Sequence, residues 1–222
     1  MSQSPEEYIS SAEIKQEFQV ERMILFSDAV FAIVITLMAI EIRIPESAER
    51  MRQETLLHEL KRLMPTIFAY LVSFFFIGSI WYQHLRIFSL VKNYDKGLVV
   101  RNLALLFLVG LFPFSASVIT RSHQSSLAFF IYLGVIYGCM LAQYFLHHYI
   151  VIKKPALRVD VDIAPQRFEL KKKRILLVGF SLAFLLCAVS YYWVEDPTMR
   201  SLIPLWILPV VFVYRWLIRK GK

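Results

Sequence analysis

The chain has 222 residues, of which 57% are hydrophobic and 19% charged, with a net charge of +8. A soluble domain of this length carries more charge and less apolar content, and repeated apolar runs of about 20 residues point to an integral membrane protein instead. Cys139 and Cys187, the two cysteines, both lie in apolar runs, which speaks against a disulfide framework or a zinc site. The basic residues flank apolar runs, as in membrane-protein loops, so the positive charge is not read as nucleic-acid binding.

In chain order, residues 1–21 are polar and read as a cytoplasmic N-terminal segment, either mobile or helical at the membrane surface. The first apolar run has no small-residue cleavage site and is expected to stay as a membrane helix. Six spans are predicted, at roughly 23–44, 64–84, 98–119, 126–150, 174–194 and 201–218, within one transmembrane domain over 22–222. Between spans one and two, ESAERMRQETLLHELKRLM sets Leu56, Leu57, Leu60 and Met64 on one side and reads as a short interfacial helix. Most Lys and Arg residues fall in the N-terminal segment, the second and fourth loops and the C-terminal end. The positive-inside rule then places both termini in the cytoplasm of a multi-pass plasma (inner) membrane protein.

Span four carries Gly134, Gly138 and Ala142 at four-residue spacing, and span five carries Gly179 and Ala183; such spacing lets helices approach closely. Pro113, Pro204 and Pro209 are expected to kink spans three and six. Trp81, Trp193, Trp206 and Trp216 lie near span ends, as interfacial aromatics do.

Ionisable groups within spans are costly unless paired. Here they are few: Arg22, Asp28, Glu41 and Arg43 on span one, His84 at the end of span two, and Arg101 beside Asn102 at the start of span three. With Ile33 at zero on a helical wheel, Leu37 falls at about 40°, Ile40 at about −20° and Thr36 at about −60°, whereas Ser27 falls at about 120° and Asp28 at about 220°. Span one thus has an aliphatic stripe, and Ser27 and Asp28 are off it. They are expected to face neighbouring helices, where His84, Trp81, Asn102 and Arg22 are the available partners. A Ser-His-Asp hydrolase built on Ser27, Asp28 and His84 fails, because adjacent Ser27 and Asp28 diverge by about 100° on the helix. His147 and His148 lack a carboxylate at helical ligand spacing. No enzyme and no metal or other cofactor is expected.

Arg22, followed after three residues by Phe26-Ser27-Asp28, resembles the signature of the transmembrane protein 175 potassium channels, the family of the endosomal and lysosomal potassium channel. AYLVSFFFIGSIWYQHLRIF in span two and RNLALLFLVGLFPFSASV in span three resemble the family's Trp-then-His and Asn-to-Pro-Phe patterns. In many members a second histidine follows; here Leu85 follows His84.

The resemblance implies a channel with no TVGYG-like filter and a pore lined by the first helix. It implies a hydrophobic constriction at Ile33, continued by Leu37 and Ile40, with Thr36 aiding potassium preference. Arg22, Phe26, Ser27, Asp28, Trp81, His84 and Asn102 would form a structural polar network. A single copy of the motif resembles the prokaryotic type, an all-α homotetramer in the lipid bilayer that passes K+ and other monovalent cations or protons. The rival is a proton-coupled secondary transporter or proton pathway using Asp28 and His84, against which no inverted repeat is evident.

Overall fold

In the computed structural model, residues 5–40, 42, 53–121 and 125–194 are described. They form six helices: α1 (Pro5–Ile40), α2 (Gln53–Phe88), α3 (Lys96–Gly110), α4 (Phe112–Arg121), α5 (Ser126–His148) and α6 (Ala164–Trp193). A π-helical turn, Tyr149–Lys153, and a 3-10 turn, Pro155–Leu157, follow α5. The chain divides into two compact units, Met1–Val159 and Asp160–Lys222.

Five stretches among the described residues are long and apolar enough to cross a membrane: Glu17–Ile40, Thr66–Phe88, Lys96–Arg121, Ser126–Lys153 and Ala164–Trp193. This corrects the expectation of six spans per chain. The sixth candidate, 201–218, lies outside the described residues, and length and composition single out five helices.

The helices begin and end for local reasons. After Pro5, which suits a first helical turn, α1 contains neither Gly nor Pro, and the helix runs unbroken from the polar segment into the first span. The separate interfacial helix expected at 46–64 is not separate: from Gln53 onward it is the first part of α2. Asp95 caps α3, its Oδ1 accepting from the Leu98 N–H at 2.7 Å. Pro113 lacks an N–H, and the third crossing is interrupted at Leu111, between α3 and α4, where the backbone stays in the right-handed helical region. Ser125 caps α5 through the Ala128 N–H.

The first unit packs one core in which Phe31, Val34 and Met38 of α1 meet Ile77 and Ile80 of α2, Leu105 and Val109 of α3, and Cys139 and Leu146 of α5. Inside a bilayer such contacts stabilise by close packing and by hydrogen bonds between helices. Gly138 brings the α5 backbone against Leu108, where an added Cβ would lie 3.3 Å from Cδ2; at Gly134 an added Cβ would meet nothing within 4 Å. The loop after α2 is tied to the segment after α5 by the Val159 N–H to the Leu90 carbonyl, 2.8 Å, and the Lys92 N–H to the Leu157 carbonyl, 2.9 Å.

In the second unit, the Asp162 carboxylate accepts from the Ala164 N–H at 2.9 Å at the start of α6. One turn further on, Lys172 pairs with Glu169 at 2.8 Å.

Candidate pore-lining helix and its polar anchor

Helical periodicity gives α1 two faces of opposite fate. Val20, Ser27, Phe31, Val34 and Met38 are buried against the chain's own helices. Ile33, Leu37 and Ile40 are 56%, 46% and 56% exposed, and Thr36 is exposed beside them. Thr36 Oγ1 donates into its own helix, to the carbonyls of Ile33 at 2.8 Å and Ala32 at 3.1 Å. That leaves oxygen lone pairs on the exposed side. Arg22 and Phe26, about −20° and 20° from Ile33 on the wheel, also emerge on this face and are exposed. Arg22 lies 5.8 Å from the centroid of the Phe18 ring and forms no ion pair with Asp28 among the described residues.

The buried face carries a chain of hydrogen bonds across three helices. Ser27 Oγ donates to the Met23 carbonyl at 2.8 Å and accepts from Asn102 Nδ2 at 2.9 Å. The Asn102 oxygen lies 2.9 Å from His84 Nε2. With the serine hydrogen committed to Met23, the amide must point its NH2 at Ser27 and its oxygen at His84, so Nε2 carries the imidazole hydrogen. His84 Nδ1 is buried with no hydrogen-bond partner among the described residues. The His84 ring packs against Phe88, centroids 4.2 Å apart, and against Phe31 at 5.6 Å. Asp28 belongs to a separate pair: its Oδ1 accepts from the Trp81 indole at 2.9 Å.

Two further anchors were not singled out in the sequence. Gln143 of α5 donates to the Ile80 carbonyl at 2.8 Å, and the hydroxyls of Ser73 and Tyr132 meet at 2.8 Å, both pairs buried. A lone amide within an apolar run was the available signal for Gln143. Where α3 begins, Asp95 Oδ2 accepts from the Tyr149 hydroxyl at 2.7 Å, and Lys154 Nζ lies 3.9 Å away. The Arg101 guanidinium stacks 3.8 Å over the Tyr149 ring and donates to the Gly97 carbonyl at 2.9 Å. An ideal Cβ on Gly97 would overlap the Tyr149 hydroxyl. Partial desolvation alone would raise the Asp95 pKa. The Tyr149 and Leu98 hydrogen bonds and the Lys154 and Arg101 charges outweigh it and hold the carboxyl below its ordinary value.

Among the described residues no group of three His, Cys, Asp or Glu side chains is placed to hold a metal ion. The described chain is an all-α integral membrane protein whose first apolar helix is half embedded and half open. The profile of the family described as "Endosomal/lysosomal potassium channel TMEM175" matches residues 22–113. A potassium channel of Chamaesiphon minutus is 30% identical over 181 residues, 78% of this chain and 88% of the relative. A potassium channel of a Chryseobacterium strain is 34% identical over 102 residues, 46% of this chain and half the length of the relative. The crystal structure of the lysosomal potassium-selective channel TMEM175 homologue from Chamaesiphon minutus superposes with a TM-score of 0.66 at 27% identity, covering 89% of this chain and 97% of that one. The chain belongs to the TMEM175 potassium-channel family, and is a transport protein rather than an enzyme.

Human TMEM175, named as an endosomal/lysosomal proton channel, is 25% identical over 181 residues, and the match covers 34% of its length. Mouse, chicken, rat and zebrafish relatives carry the same name. These endosomal/lysosomal names correct the expectation of a plasma (inner) membrane, and they do not bear on which side the termini face. That expectation rested on counting Lys and Arg, and such a count reads the sidedness of a membrane, not which membrane it is.

Proposed function

We propose that this chain is one subunit of a homotetrameric, potassium-permeable cation channel in which the exposed face of α1 lines a central pore. The observation that carries the reading is the division of α1. Phe31, Val34 and Met38 are spent on the subunit's own core, whereas Ile33, Leu37 and Ile40 are left exposed on the opposite side. One aliphatic stripe cannot enclose a conduit, but four copies about an axis can. Rings of Ile33, Leu37 and Ile40 would block ions by dewetting when tight and pass them when dilated. Thr36, whose hydrogen is committed to its own helix, would offer oxygen lone pairs to a partly dehydrated cation. With no carbonyl cage replacing the hydration shell, the preference for K+ over Na+ is modest. The names of the bacterial relatives, potassium channels, support the permeant ion.

The test is K+ and Na+ flux through the purified chain in vesicles, with its oligomeric size measured in the same preparation. Electrodiffusive K+ flux from a tetramer is expected, and Ile33→Asn is expected to raise flux and weaken discrimination. Unchanged flux and selectivity in that variant would remove Ile33 from the constriction, and a flux that saturates and couples to protons would favour a transporter.

A second reading, proton conduction, is favoured by the name shared by the animal relatives. It is weakened as an Asp28–His84 relay, because Asp28 bonds to Trp81 while His84 bonds to Asn102. A pH-sensitive dye trapped in the same vesicles separates the two.

A further inference from the structure

The start of α6 carries five cations, Arg167, Lys171, Lys172, Lys173 and Arg174, and they are not equivalent. Measured around the helix from Arg167, Lys171 lies at about 40° and Arg174 at about −20°, so these three form one ladder. All three are exposed, and none forms a side-chain hydrogen bond or ion pair among the described residues. Lys172, off the ladder at about 140°, is already paired with Glu169 at 2.8 Å and lies 4.5 Å from the centroid of the Phe168 ring. Of the nearby acids, Glu169 lies at about 200° and Asp162 accepts from the Ala164 N–H, while Asp160 stands exposed before the helix begins.

The same face continues beyond Arg174 as an exposed apolar strip through Val178 and Leu185, 54% and 60% exposed, to Tyr192, 83% exposed. These residues lie within about 20° of Arg167 on the wheel. From Arg174 to Tyr192 the helix rises about 27 Å, close to the ~30 Å thickness of a bilayer's hydrocarbon core. A ladder of free cations at one boundary and, next to it, an apolar strip from Arg174 to Leu185 that rises about 16 Å, one leaflet's share of that core, make the outline of a lipid with a negative headgroup.

We propose that this face of α6 is a docking site for an anionic glycerophospholipid. Its phosphate is held by Arg167, Lys171 and Arg174, and its acyl chain lies along Val178 and Leu185. The guanidinium of Arg174 offers a planar fork that binds phosphate through two hydrogen bonds, and Lys171 adds a point charge one turn away. Charge complementarity selects the headgroup; the apolar strip selects a lipid over a free anion.

The experiment is native mass spectrometry of the full chain, released from mixed micelles holding equal phosphatidylglycerol and phosphatidylcholine. The unaltered chain is expected to retain phosphatidylglycerol preferentially, and less so as salt rises. The triple variant Arg167→Gln, Lys171→Gln, Arg174→Gln is expected to lose that preference by roughly a hundredfold, at about fivefold for each cation near an anionic surface. Lys172→Gln is expected to keep it, and Arg167→Lys with Arg174→Lys is expected to keep most of it, which separates lost charge from a misfolded helix. Equal retention of the two lipids by the unaltered chain would overturn the proposal, as would a triple variant that still prefers phosphatidylglycerol. So would displacement of the lipid by millimolar inorganic phosphate, which would make the ladder a plain anion site.

Discussion

Asn102 and His84, eighteen residues apart on adjacent helices, share a 2.9 Å hydrogen bond in which the amide oxygen holds the imidazole Nε2 hydrogen. The other end of the same amide holds Ser27 of α1. One side chain of α3 therefore couples the candidate pore helix to α2. Asn102→Leu keeps a similar volume, leaves the buried His84 Nε2–H without its acceptor and takes from Ser27 Oγ one of its two hydrogen bonds. Leaving buried groups unsatisfied costs about 1–3 kcal/mol, so the variant should unfold at a lower temperature in detergent than the unaltered chain. An unchanged melting curve would show that the amide is dispensable.

Trp81→Phe keeps an aromatic ring and removes the N–H that reaches Asp28. The expected result is a smaller yield of assembled protein with selectivity unchanged, at a cost of roughly 1 kcal/mol. Arg22→Gln should not reproduce this loss, because Arg22 lies against Phe18 rather than Asp28. Equal losses in both variants, measured by size-exclusion chromatography, would point to an Arg22–Asp28 pairing instead.

Thr36→Val replaces the hydroxyl by a methyl of the same shape. If the Thr36 oxygen faces permeating ions, K+ over Na+ discrimination should fall in this variant while total flux stays near that of the parent. Thr36→Ser, which keeps the oxygen, should retain the discrimination. Bi-ionic reversal potentials are the measurement, and identical values for Val and Ser would remove Thr36 from selectivity.

Gly97→Ala should destabilise the chain by about 1–3 kcal/mol, since a methyl there has to displace the Tyr149 ring. Tyr149→Phe removes the overlapping oxygen and also the hydrogen bond to Asp95. The double variant should therefore lose less than the sum of the two single losses. Strict additivity in thermal melts would mean that the two positions do not touch.

Asp95 gives the fold a pH dependence of known sign. Its folded pKa lies below the ordinary 3.8, so its contribution is fully present above that value and fades as pH falls through the lowered one. Melting temperature should drop more steeply below pH 3.8 in the parent chain than in Asp95→Asn. Parallel curves would show that the carboxylate is not linked to folding.

Much of this arrangement is written in local periodicity. The apolar runs and the 100° step separate Ile33 from Ser27 before any tertiary structure is known, and Trp81, His84 and Asn102 could be named as partners because polar groups in spans are few. What periodicity does not encode is contact between distant segments. The tie between Leu90 and Val159 has no pattern that a single strand-like residue could announce. The requirement for Gly97 appears only once Tyr149, fifty-two residues on, has been folded against it. Pro113 announced the interruption of the third crossing at Leu111. Polarity alone left the conformation before the first span open, and with no Gly or Pro to interrupt it α1 runs back through the polar residues to Pro5.

The two faces of α1 also sort damage by kind. A lesion at Ser27, Phe31 or Val34 strikes contacts within one chain, so it registers as protein that fails to accumulate, and a healthy neighbouring subunit cannot rescue it. On the proposed assembly, a lesion at Ile33 or Leu37 leaves the chain sound and enters every complex it joins. In a cell carrying both alleles the first would behave as a recessive loss, and the second would poison mixed tetramers.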